Sequence, residues 1–338
     1  MTRVSILMPC YNVAKTVDET MASLLGQTHT DFEIVAVDDG STDSSLDILN
    51  AWAAKDNRVR VMARSHKGII EALNAGLQAC NGDYVARMDA DDLAHPSRLK
   101  KQAAFMDSHA DVAVAACLVE GFPKEELREG YRIYIDWLNS LVSHDEIMRE
   151  LFVESPLAHP SAMFRKEQIL NVGGYQEHGW PEDYDLWLRL AQSGLRFAKV
   201  PELLLSWRDH PNRLTRTDSR YSVTNFLRAK AHYLMKGPLR SKDVVIIWGA
   251  GMMGKRLSKH LLDLGAPLEA FIDVDPVKIG RTRRGKPILA SNDLPELWKR
   301  HKNPIVLAAV GARGARALIR QELNDHGLLE RRDWWAAA

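Results

Sequence analysis

The stretch FEIVAVDDGSTD, residues 32–43, joins a short apolar run to an acidic turn that contains glycine. Apolar runs of this length, bounded by turn residues, are typical of strands that are buried on both faces of a parallel sheet. Similar runs occur at residues 3–9, 59–63 and 84–88. We therefore predict four strands in the first hundred residues, with the acidic turn directly after the second of them.

Amphipathic stretches separate these runs, and they predict helices over residues 17–27, 44–55, 68–79 and 96–108. This alternation of strand and helix predicts a parallel α/β sheet covered on both faces. In such sheets, ligands bind beyond the carboxyl ends of the strands. Further along the chain we predict helices at 131–141, 145–152, 182–192 and 222–235 and short strands at 197–200 and 203–208, with an otherwise less regular region over 119–160.

A second α/β unit is predicted after the helix stop signal Lys236-Gly237-Pro238. Its strands are expected at residues 244–248, 268–272 and 305–310, with a helix that ends near residue 264. A chain of 338 residues is long enough for two domains. We therefore predict one domain over residues 1–238 and a smaller one over residues 239–338.

The overall charge and the cysteines limit the classes of partner and compartment. Lys and Arg total 45 against 44 for Asp and Glu, and this net charge of +1 favours neither nucleic acid nor an anionic membrane as a partner. The cysteines Cys10, Cys80 and Cys117 form no CxxC pair, which favours a reducing compartment. Neither a signal peptide nor a membrane span is predicted. We expect a cytoplasmic protein, and association with the inner face of the membrane stays open.

Two acidic clusters follow two of the predicted strands. Asp38 and Asp39 come after the second strand, and Asp89, Asp91 and Asp92 come after the fourth. Carboxylates are hard oxygen ligands, suited to a divalent cation that keeps open positions for phosphate. Each cluster alone is also explained by helix caps on solvated turns. Two clusters at one edge of one sheet favour a site for a metal and a nucleotide diphosphate.

Four motifs in this order carry a resemblance to a known family. They are VSILMPCYN (4–12), DDGSTD (38–43), NAG (74–76) and ARMDADD (86–92). Over roughly residues 3–215 the chain resembles the family 2 glycosyltransferases with the glycosyltransferase A-type fold. The resemblance implies a mixed, mostly parallel sheet that binds a nucleotide-sugar donor, for which we expect a uridine diphosphate sugar.

The resemblance also implies roles for individual residues. The base and ribose of the donor are expected against Pro9, Tyr11, Asn12 and Asp39. The Asp-x-Asp element is expected to bind the ribose and the metal, Mg²⁺ or Mn²⁺, through Asp89 and Asp91.

Nearby basic residues have two interpretations each. Arg64 and Lys67 follow the third strand, where they either neutralise phosphate charge or lie in a solvated loop. Arg87 is interpreted as an ion-pair partner at the end of its strand. His210 lies in an Arg-x-His element like that of relatives, which implies a metal ligand, although an isolated histidine, like His159, is more often an ordinary polar residue.

The general base is expected in the second half of the first domain. Residues 180–187 read WPEDYDLW and resemble the Glu-Asp element of the family at the start of a helix. Displacement at the anomeric carbon needs a carboxylate that takes the proton of the acceptor. We predict Asp183 as this base and Glu182 as the second choice. The alternative is that these acids only cap the helix and complement its dipole.

The second domain contains Gly249-x-Gly251-x-x-Gly254 between a strand and a helix, and Asp273 follows the next strand. This pattern is typical of Rossmann-like domains that bind a pyrophosphate at the helix N-terminus. It predicts NAD(P) or another nucleotide as a ligand. No Tyr-x-x-x-Lys pair is present in this domain, so we favour a binding, docking or regulatory role over hydride transfer.

The sequence thus predicts an inverting, nonprocessive glycosyltransferase that acts on a glycan or lipid-linked acceptor in surface glycan synthesis. The Gln-x-x-Arg-Trp element of processive synthases is absent, which favours the addition of single sugars. Two alternatives stay open. One is a bifunctional enzyme whose second domain modifies sugars with NAD(P), and the other is an inactive nucleotide-sugar sensor.

Overall fold

The computed structural model describes residues 3–338, which divide into two compact units. The first unit comprises residues 3–147, 156–178 and 182–216, and the second comprises residues 148–155, 179–181 and 217–338. Helix 223–236 belongs to the second unit by its contacts. The domain boundary expected after residue 238 stays a prediction.

The first unit is built on a sheet whose strands are β1 Val4–Cys10, β2 Phe32–Asp38, β3 Val59–Ala63, β4 Tyr84–Arg87, β5 Leu93–Ala94, β6 Val112–Phe122, β7 Met163–Arg165 and β8 Arg196–Arg208. Its helices are α1 Val17–Leu25, α2 Ser45–Lys55, α3 Ile69–Ala79, α4 Arg98–Ser108, α5 Glu129–Ser140, α6 His144–Glu150, α7 Lys166–Asn171, α8 Glu182–Gln192 and α9 Leu214–Thr217. Of these, α6 and α9 continue into the second unit.

The strand order of this sheet is β3-β2-β1-β4-β7-β6-β8-β5. Strands β1 to β4 are mutually parallel, β6 is parallel to β8, and β7 and β5 run antiparallel to their neighbours. This confirms the predicted mixed, mostly parallel α/β sheet. In the register Cys10 pairs with Asp38, and Leu7 pairs with Arg87. The turns after β1, β2 and β4 therefore emerge at one edge of the sheet.

The core of the unit lies against strands that the apolar runs predict. Every residue of β2 is buried, and β1 has a single partly exposed position. Burial on both faces explains why these strands are continuous apolar runs rather than alternating ones. Around them pack the buried side chains of helices α1, α2 and α4, including Met21, Leu49 and Leu99.

Several strands differ from the sequence prediction, among them the two-residue strand β5, which was not predicted. Strand β6 was not predicted, because its first half is rich in alanine, which is depleted in strands. Strand β7 has three residues, which is too short for a hydrophobic pattern that would predict a strand. The two strands predicted at 197–200 and 203–208 form the single strand β8, whose register against β6 shifts between Val200 and Leu203. An irregularity of this kind interrupts the apolar pattern without ending the strand.

The second unit contains a further sheet of strands β9 Val244–Trp248, β10 Leu268–Ile272, β11 Thr282–Arg283, β12 Lys286–Leu289, β13 Pro304–Ala308 and β14 Trp334–Ala336. Its helices are α10 Val223–Lys236, α11 Met252–Asp263, α12 Leu294–Lys299 and α13 Ala315–Asp325. The strand order is β11-β12-β10-β9-β13-β14, and all pairings except β11 with β12 are parallel. The five parallel strands have the order found in doubly wound nucleotide-binding folds.

Within residues 3–338, none of the helices combines the length and the apolar character that a bilayer crossing requires.

Candidate active site

The turn after β2 holds Asp39 in a buried position at the carboxyl edge of the first sheet. One carboxylate oxygen of Asp39 accepts the backbone N–H of Lys67 at 3.0 Å, and the other accepts that of Gly68 at 2.8 Å. The ring of His66 also lies 2.9 Å from Asp39 through Nδ1. These contacts fix the carboxylate, and Oδ1, which accepts only the Lys67 N–H, keeps a further lone-pair direction for a ligand.

Tyr11 and Asn12 lie beside Asp39 on the turn after β1. The Tyr11 ring is 44% exposed and stacks on His66, with 4.2 Å between ring centroids. Asn12 has a positive φ of 53°, and its side-chain oxygen accepts the backbone N–H of Thr42 at 2.8 Å. The structure thus ties the turn after β1 to the turn after β2 and places an exposed aromatic face beside Asp39. Pro9 lies within β1, next to this turn.

Asp38 and Arg64, also in this region, form hydrogen bonds with other residues of the protein. Asp38 is buried, and one of its oxygens accepts the backbone N–H of Ser41 at 3.2 Å. Arg64 donates from Nη1 to the carbonyl oxygen of Glu71 at 2.9 Å and lies 4.0 Å from the Glu71 carboxylate. The guanidinium of Arg64 is therefore already engaged, and its contact with phosphate stays a prediction.

The turn after β4 brings three carboxylates together. One oxygen each of Asp89, Asp91 and Asp92 lies within 4.8 Å of the others. Burial, followed by the charges of Asp91 and Asp89, raises the pKa of Asp92 well above its ordinary value. Burial and the charge of Asp91 likewise raise the pKa of Asp89, against the opposing effect of Arg87. The cluster thus concentrates negative charge that a cation would relieve.

Two elements hold this cluster in place. Buried Arg87, the last residue of β4, forms an ion pair with Asp89. At the end of β8, Arg208 donates its backbone N–H to Asp92 at 2.8 Å and its Nε to the carbonyl oxygen of Asp91 at 2.6 Å. The second oxygen of Asp92 is buried and has no hydrogen-bond partner within residues 3–338. A buried oxygen without a hydrogen-bond partner destabilises the fold unless a ligand binds to it.

The two histidines considered from the sequence lie in different surroundings. His210 follows β8, and its Nε2 lies 2.8 Å from the Asp91 carboxylate, so it belongs to the acidic cluster. His159 is buried, and its Nε2 lies 2.8 Å from the hydroxyl of Tyr175. Burial and the charge of Arg87 lower the pKa of His159 well below its ordinary value. His159 is therefore a neutral, packed histidine, while His210 is placed to act with Asp91.

Asp183 occupies the first turn of helix α8, as predicted from the Glu-Asp element. Burial, and then the charge of the adjacent Glu182, raises the pKa of Asp183 to about 7. One Asp183 oxygen accepts the backbone N–H of Tyr184 at 2.7 Å. Glu182 itself is buried. A carboxylate whose pKa lies near neutrality is suited to accept and release a proton at physiological pH.

Arg87 connects the acidic cluster with Asp183. Its guanidinium pairs with Asp89, and the same positive charge lowers the pKa of Asp183 against the effect of burial. A charge acts appreciably on groups of both kinds only when it is close to both. The charge of Arg87 therefore acts on both the turn after β4 and the start of α8, and its pairing with Asp89 agrees with the ion-pair role expected from the sequence.

Some residues of this region carried little signal in the sequence. His66 follows β3 without any motif, and its position against Tyr11 and Asp39 depends on the folded turn. Arg208 lies in the Arg-x-His element, but only the structure shows that it braces two members of the acidic cluster. The spacing of Arg208 and His210, two residues apart at the end of a strand, was the available signal.

In the second unit, the glycine motif forms the turn between β9 and α11. Gly249 has φ 114°, and a Cβ on Gly254 would lie 1.8 Å from the Gly249 carbonyl oxygen, so both positions need glycine for the chain to pack. A Cβ on Gly251 would meet nothing within 4 Å. Asp273 accepts the backbone N–H of Ala250 at 2.9 Å and pairs with Lys278 at 3.2 Å.

A cavity of about 700 Å³ opens beside this turn and is lined by Gly249, Gly251 and Asp273, among others. Burial would raise the pKa of Asp273, but hydrogen bonds from the backbone of Asp275 and Ala250 and from Lys278 lower it overall. Asp273 is therefore a carboxylate that secures the turn. The binding of NAD(P) or another nucleotide in this cavity stays a prediction.

The first unit is an α/β sheet with a cluster of carboxylates at its carboxyl edge, which is compatible with a cation and a phosphorylated ligand. A family model described as glycosyl transferase family 2 matches residues 5–173. The amylovoran biosynthesis glycosyltransferase AmsE of Erwinia amylovora is 31% identical over 261 residues, covering 72% of this chain and 96% of that protein. The chain belongs to glycosyl transferase family 2.

Solved structures share the fold at low sequence identity. S. aureus TarS, residues 1–349, in complex with UDP-GlcNAc, superposes with a TM-score of 0.56 at 20% identity, covering 77% of this chain and 71% of that one. The mannosyltransferase PcManGT of Pyrobaculum calidifontis, in complex with GDP-Man and Mn²⁺, gives a TM-score of 0.54 at 17% identity, covering 78% and 70%. These similarities establish the glycosyltransferase A-type fold of the first unit.

Proposed function

We propose that this glycosyltransferase moves one sugar at a time, with inversion, from a uridine diphosphate sugar to an acceptor hydroxyl during surface glycan synthesis. The observation that carries the proposal is the cluster of Asp89, Asp91 and Asp92 on the turn after β4, whose partner Arg87 also acts electrostatically on Asp183. A cation that neutralises the leaving diphosphate and a base that takes the proton of the acceptor both promote direct displacement. The membership of the family and the biosynthetic role in the name of AmsE support the setting.

The donor nucleotide is assigned to the edge formed by Tyr11, Asn12 and Asp39. An exposed aromatic ring offers a stacking face for a base, and a fixed carboxylate accepts hydrogen bonds from a base or ribose. TarS was solved with UDP-GlcNAc, which supports uridine as the base. Pro9 precedes this edge and shapes the entry of the chain into the turn.

The acidic cluster fits a divalent cation. It offers hard oxygen atoms within 4.8 Å of one another, and one buried Asp92 oxygen lacks a partner among residues 3–338. Asp89 and Asp91 would hold the ion, with His210 in contact with Asp91. A bound Mg²⁺ or Mn²⁺ would neutralise the negative charge that develops on the leaving diphosphate. The Mn²⁺ in the PcManGT complex supports this choice of metal.

Asp183 is assigned as the base. With its pKa near 7, about half of the carboxylate is ionised at neutral pH and can take the proton of an attacking hydroxyl. Arg87 holds Asp89 and favours the ionised form of Asp183, so we assign it a positioning role. The complete acidic set argues against the alternative of an inactive sensor.

A screen of nucleotide-sugar donors tests the proposal by measuring nucleotide release from the full chain. We expect release from at least one uridine diphosphate sugar in the presence of Mn²⁺ or Mg²⁺, and its loss when a chelator is added. Asp183→Asn should stop release but keep binding of the donor. Full activity in the chelator, or normal turnover of Asp183→Asn, would contradict the proposal.

A further inference from the structure

The net charge of +1 conceals two oppositely charged halves of the chain. Residues 217–338 contain 22 Lys and Arg against 12 Asp and Glu, a difference of +10. Residues 1–216 contain 23 Lys and Arg against 32 Asp and Glu, a difference of −9. Such an asymmetry indicates an anionic partner for the basic half. The total charge of +1 therefore hides the basic character of residues 217–338.

Part of this positive charge lies in one groove of the second unit. The groove has a volume of about 690 Å³ and runs along helices α10 and α11. We call it the basic groove and define it by its basic side chains, which are Lys255, Arg256, Lys259, His260 and Arg284.

The order of these residues along α11 explains how the groove forms. Lys255, Arg256, Lys259 and His260 follow Met252 at helical spacing, so that they share one face of the helix. The opposite face carries the buried residues of α11 and packs into the unit. The exposed side of α11 thus presents the positive charges of Lys255, Arg256 and Lys259 in one row, with the His260 ring beside them.

Most of this charge is not neutralised by the protein. Lys259 pairs with Asp263 at 3.0 Å, whereas Lys255 and Arg256 form no ion pair within residues 3–338. Arg284 donates to the carbonyl oxygen of Lys255 at 2.9 Å, which brings its charge onto the same helix. Burial and then the charge of Lys259 lower the pKa of His260. Like charges held this closely repel one another unless an anion binds between them.

Aliphatic side chains accompany the charges. Met252 is 66% exposed and Val223 is 51% exposed, and both line the groove. Exposed aliphatic groups beside Lys and Arg are typical of surfaces that insert between lipid headgroups. Surfaces for single-stranded nucleic acid use aromatic rings on which bases stack, and the groove presents no Phe, Tyr or Trp among its described lining residues. The pattern favours a lipid surface over a nucleic acid.

We infer that the basic groove docks the protein on the phosphate headgroups of an anionic membrane, with Met252 and Val223 entering the headgroup layer. The inference is independent of the transfer chemistry, since it concerns only the second unit. In this inference, the surface formed by α10 and α11 faces the membrane.

Vesicle co-sedimentation of the full chain tests the inference. We expect binding to vesicles of phosphatidylglycerol mixed with phosphatidylcholine, and none to phosphatidylcholine alone. The double variant Lys255→Gln/Arg256→Gln should bind about 25-fold more weakly, at about fivefold for each lost charge near the surface. Raising the salt from about 0.1 M to about 1 M should abolish binding, because the screening length falls to about 3 Å.

The matched control is Lys299→Gln/Arg300→Gln, which removes the same charge from exposed positions at the end of α12. It should change vesicle binding less than threefold, and both variants should release nucleotide from the donor at the normal rate. Equal loss in the control would overturn the inference in favour of diffuse charge. Binding to neutral vesicles, no binding to anionic ones, or tighter binding to a DNA duplex at equal salt would overturn it as well.

Discussion

The acid limb of the pH–rate profile gives the sharpest test of the base. With the pKa of Asp183 at about 7, roughly one molecule in ten has an ionised base at pH 6, and nearly all have one above pH 8. The transfer rate of the natural protein should therefore fall about tenfold per pH unit below neutrality. After burial, the negative charge of Glu182 contributes most to raising the pKa of Asp183, and the substitution Glu182→Gln removes this charge.

Glu182→Gln should shift the acid limb to lower pH, because loss of a neighbouring negative charge lowers the pKa of Asp183. At pH 6 the rate should rise, up to a limit of about tenfold set by complete ionisation. Above pH 8 the rate should stay unchanged. The assay is nucleotide release at saturating donor and metal, with water or an accepting sugar as the nucleophile.

Asp183→Asn is the companion variant and should be inactive across the whole pH range. If Glu182→Gln abolished activity while Asp183→Asn retained it, Glu182 would be the base. If Glu182→Gln left the position of the limb unchanged, the reasoning about charge between the two carboxylates would be refuted. Binding of uridine diphosphate, measured by calorimetry, checks that both variants keep the donor site.

Three further predictions concern the donor edge, the metal and the second unit. Asp39→Asn loses charge-assisted hydrogen bonds from the backbone of the turn after β3, so the affinity for uridine diphosphate in calorimetry should fall about tenfold or more; unchanged affinity would remove Asp39 from the donor site. Asp91→Asn should raise the Mn²⁺ concentration for half-maximal nucleotide release by at least about tenfold, and an unaltered metal titration would speak against its role. Gly254→Ala should lower the free energy of unfolding by about 1–3 kcal/mol, since the added Cβ would lie 1.8 Å from a carbonyl oxygen. Gly251→Ala should change it by no more than about 0.5 kcal/mol. Equal losses of stability in thermal unfolding would contradict the packing argument.

The parts of the fold that the sequence predicted are those in which burial and pattern agree. Strand β2 is apolar except for Glu33 and Asp38 because both of its faces are covered, and it ends at the acidic turn that reaches the site. The same logic located β1, β3 and β4, and parallel pairing then requires their following turns to share an edge. Strand β6 lacked such a signal, since alanine fits helix and buried strand alike.

The candidate site was predictable where it is made of adjacent residues in sequence, and less so where it depends on tertiary contacts. The grouping of Asp89, Asp91 and Asp92 follows from one turn after β4. The contact of His210 with Asp91, and the influence of Arg87 on Asp183, join segments that are about a hundred residues apart in the chain. No local sequence pattern encodes the influence of Arg87 on Asp183, because the packing of the whole unit sets the distance between these groups.

Total charge was the least informative property of the sequence. Its value of +1 is the sum of an acidic first part and a basic second part, and the basic groove on α10 and α11 became visible only after the two were separated. For chains of two units, charge is a property of each unit and of each surface.

A crystal structure with uridine diphosphate and Mn²⁺ would test most directly whether separate turns of the first sheet form one donor site. The anomalous signal of the ion should lie about 2.2 Å from a carboxylate oxygen of Asp91, with the base against Tyr11 and the diphosphate on the side of Asp183. An ion bound away from the acidic cluster, or a nucleotide bound away from Asp39, would contradict the account.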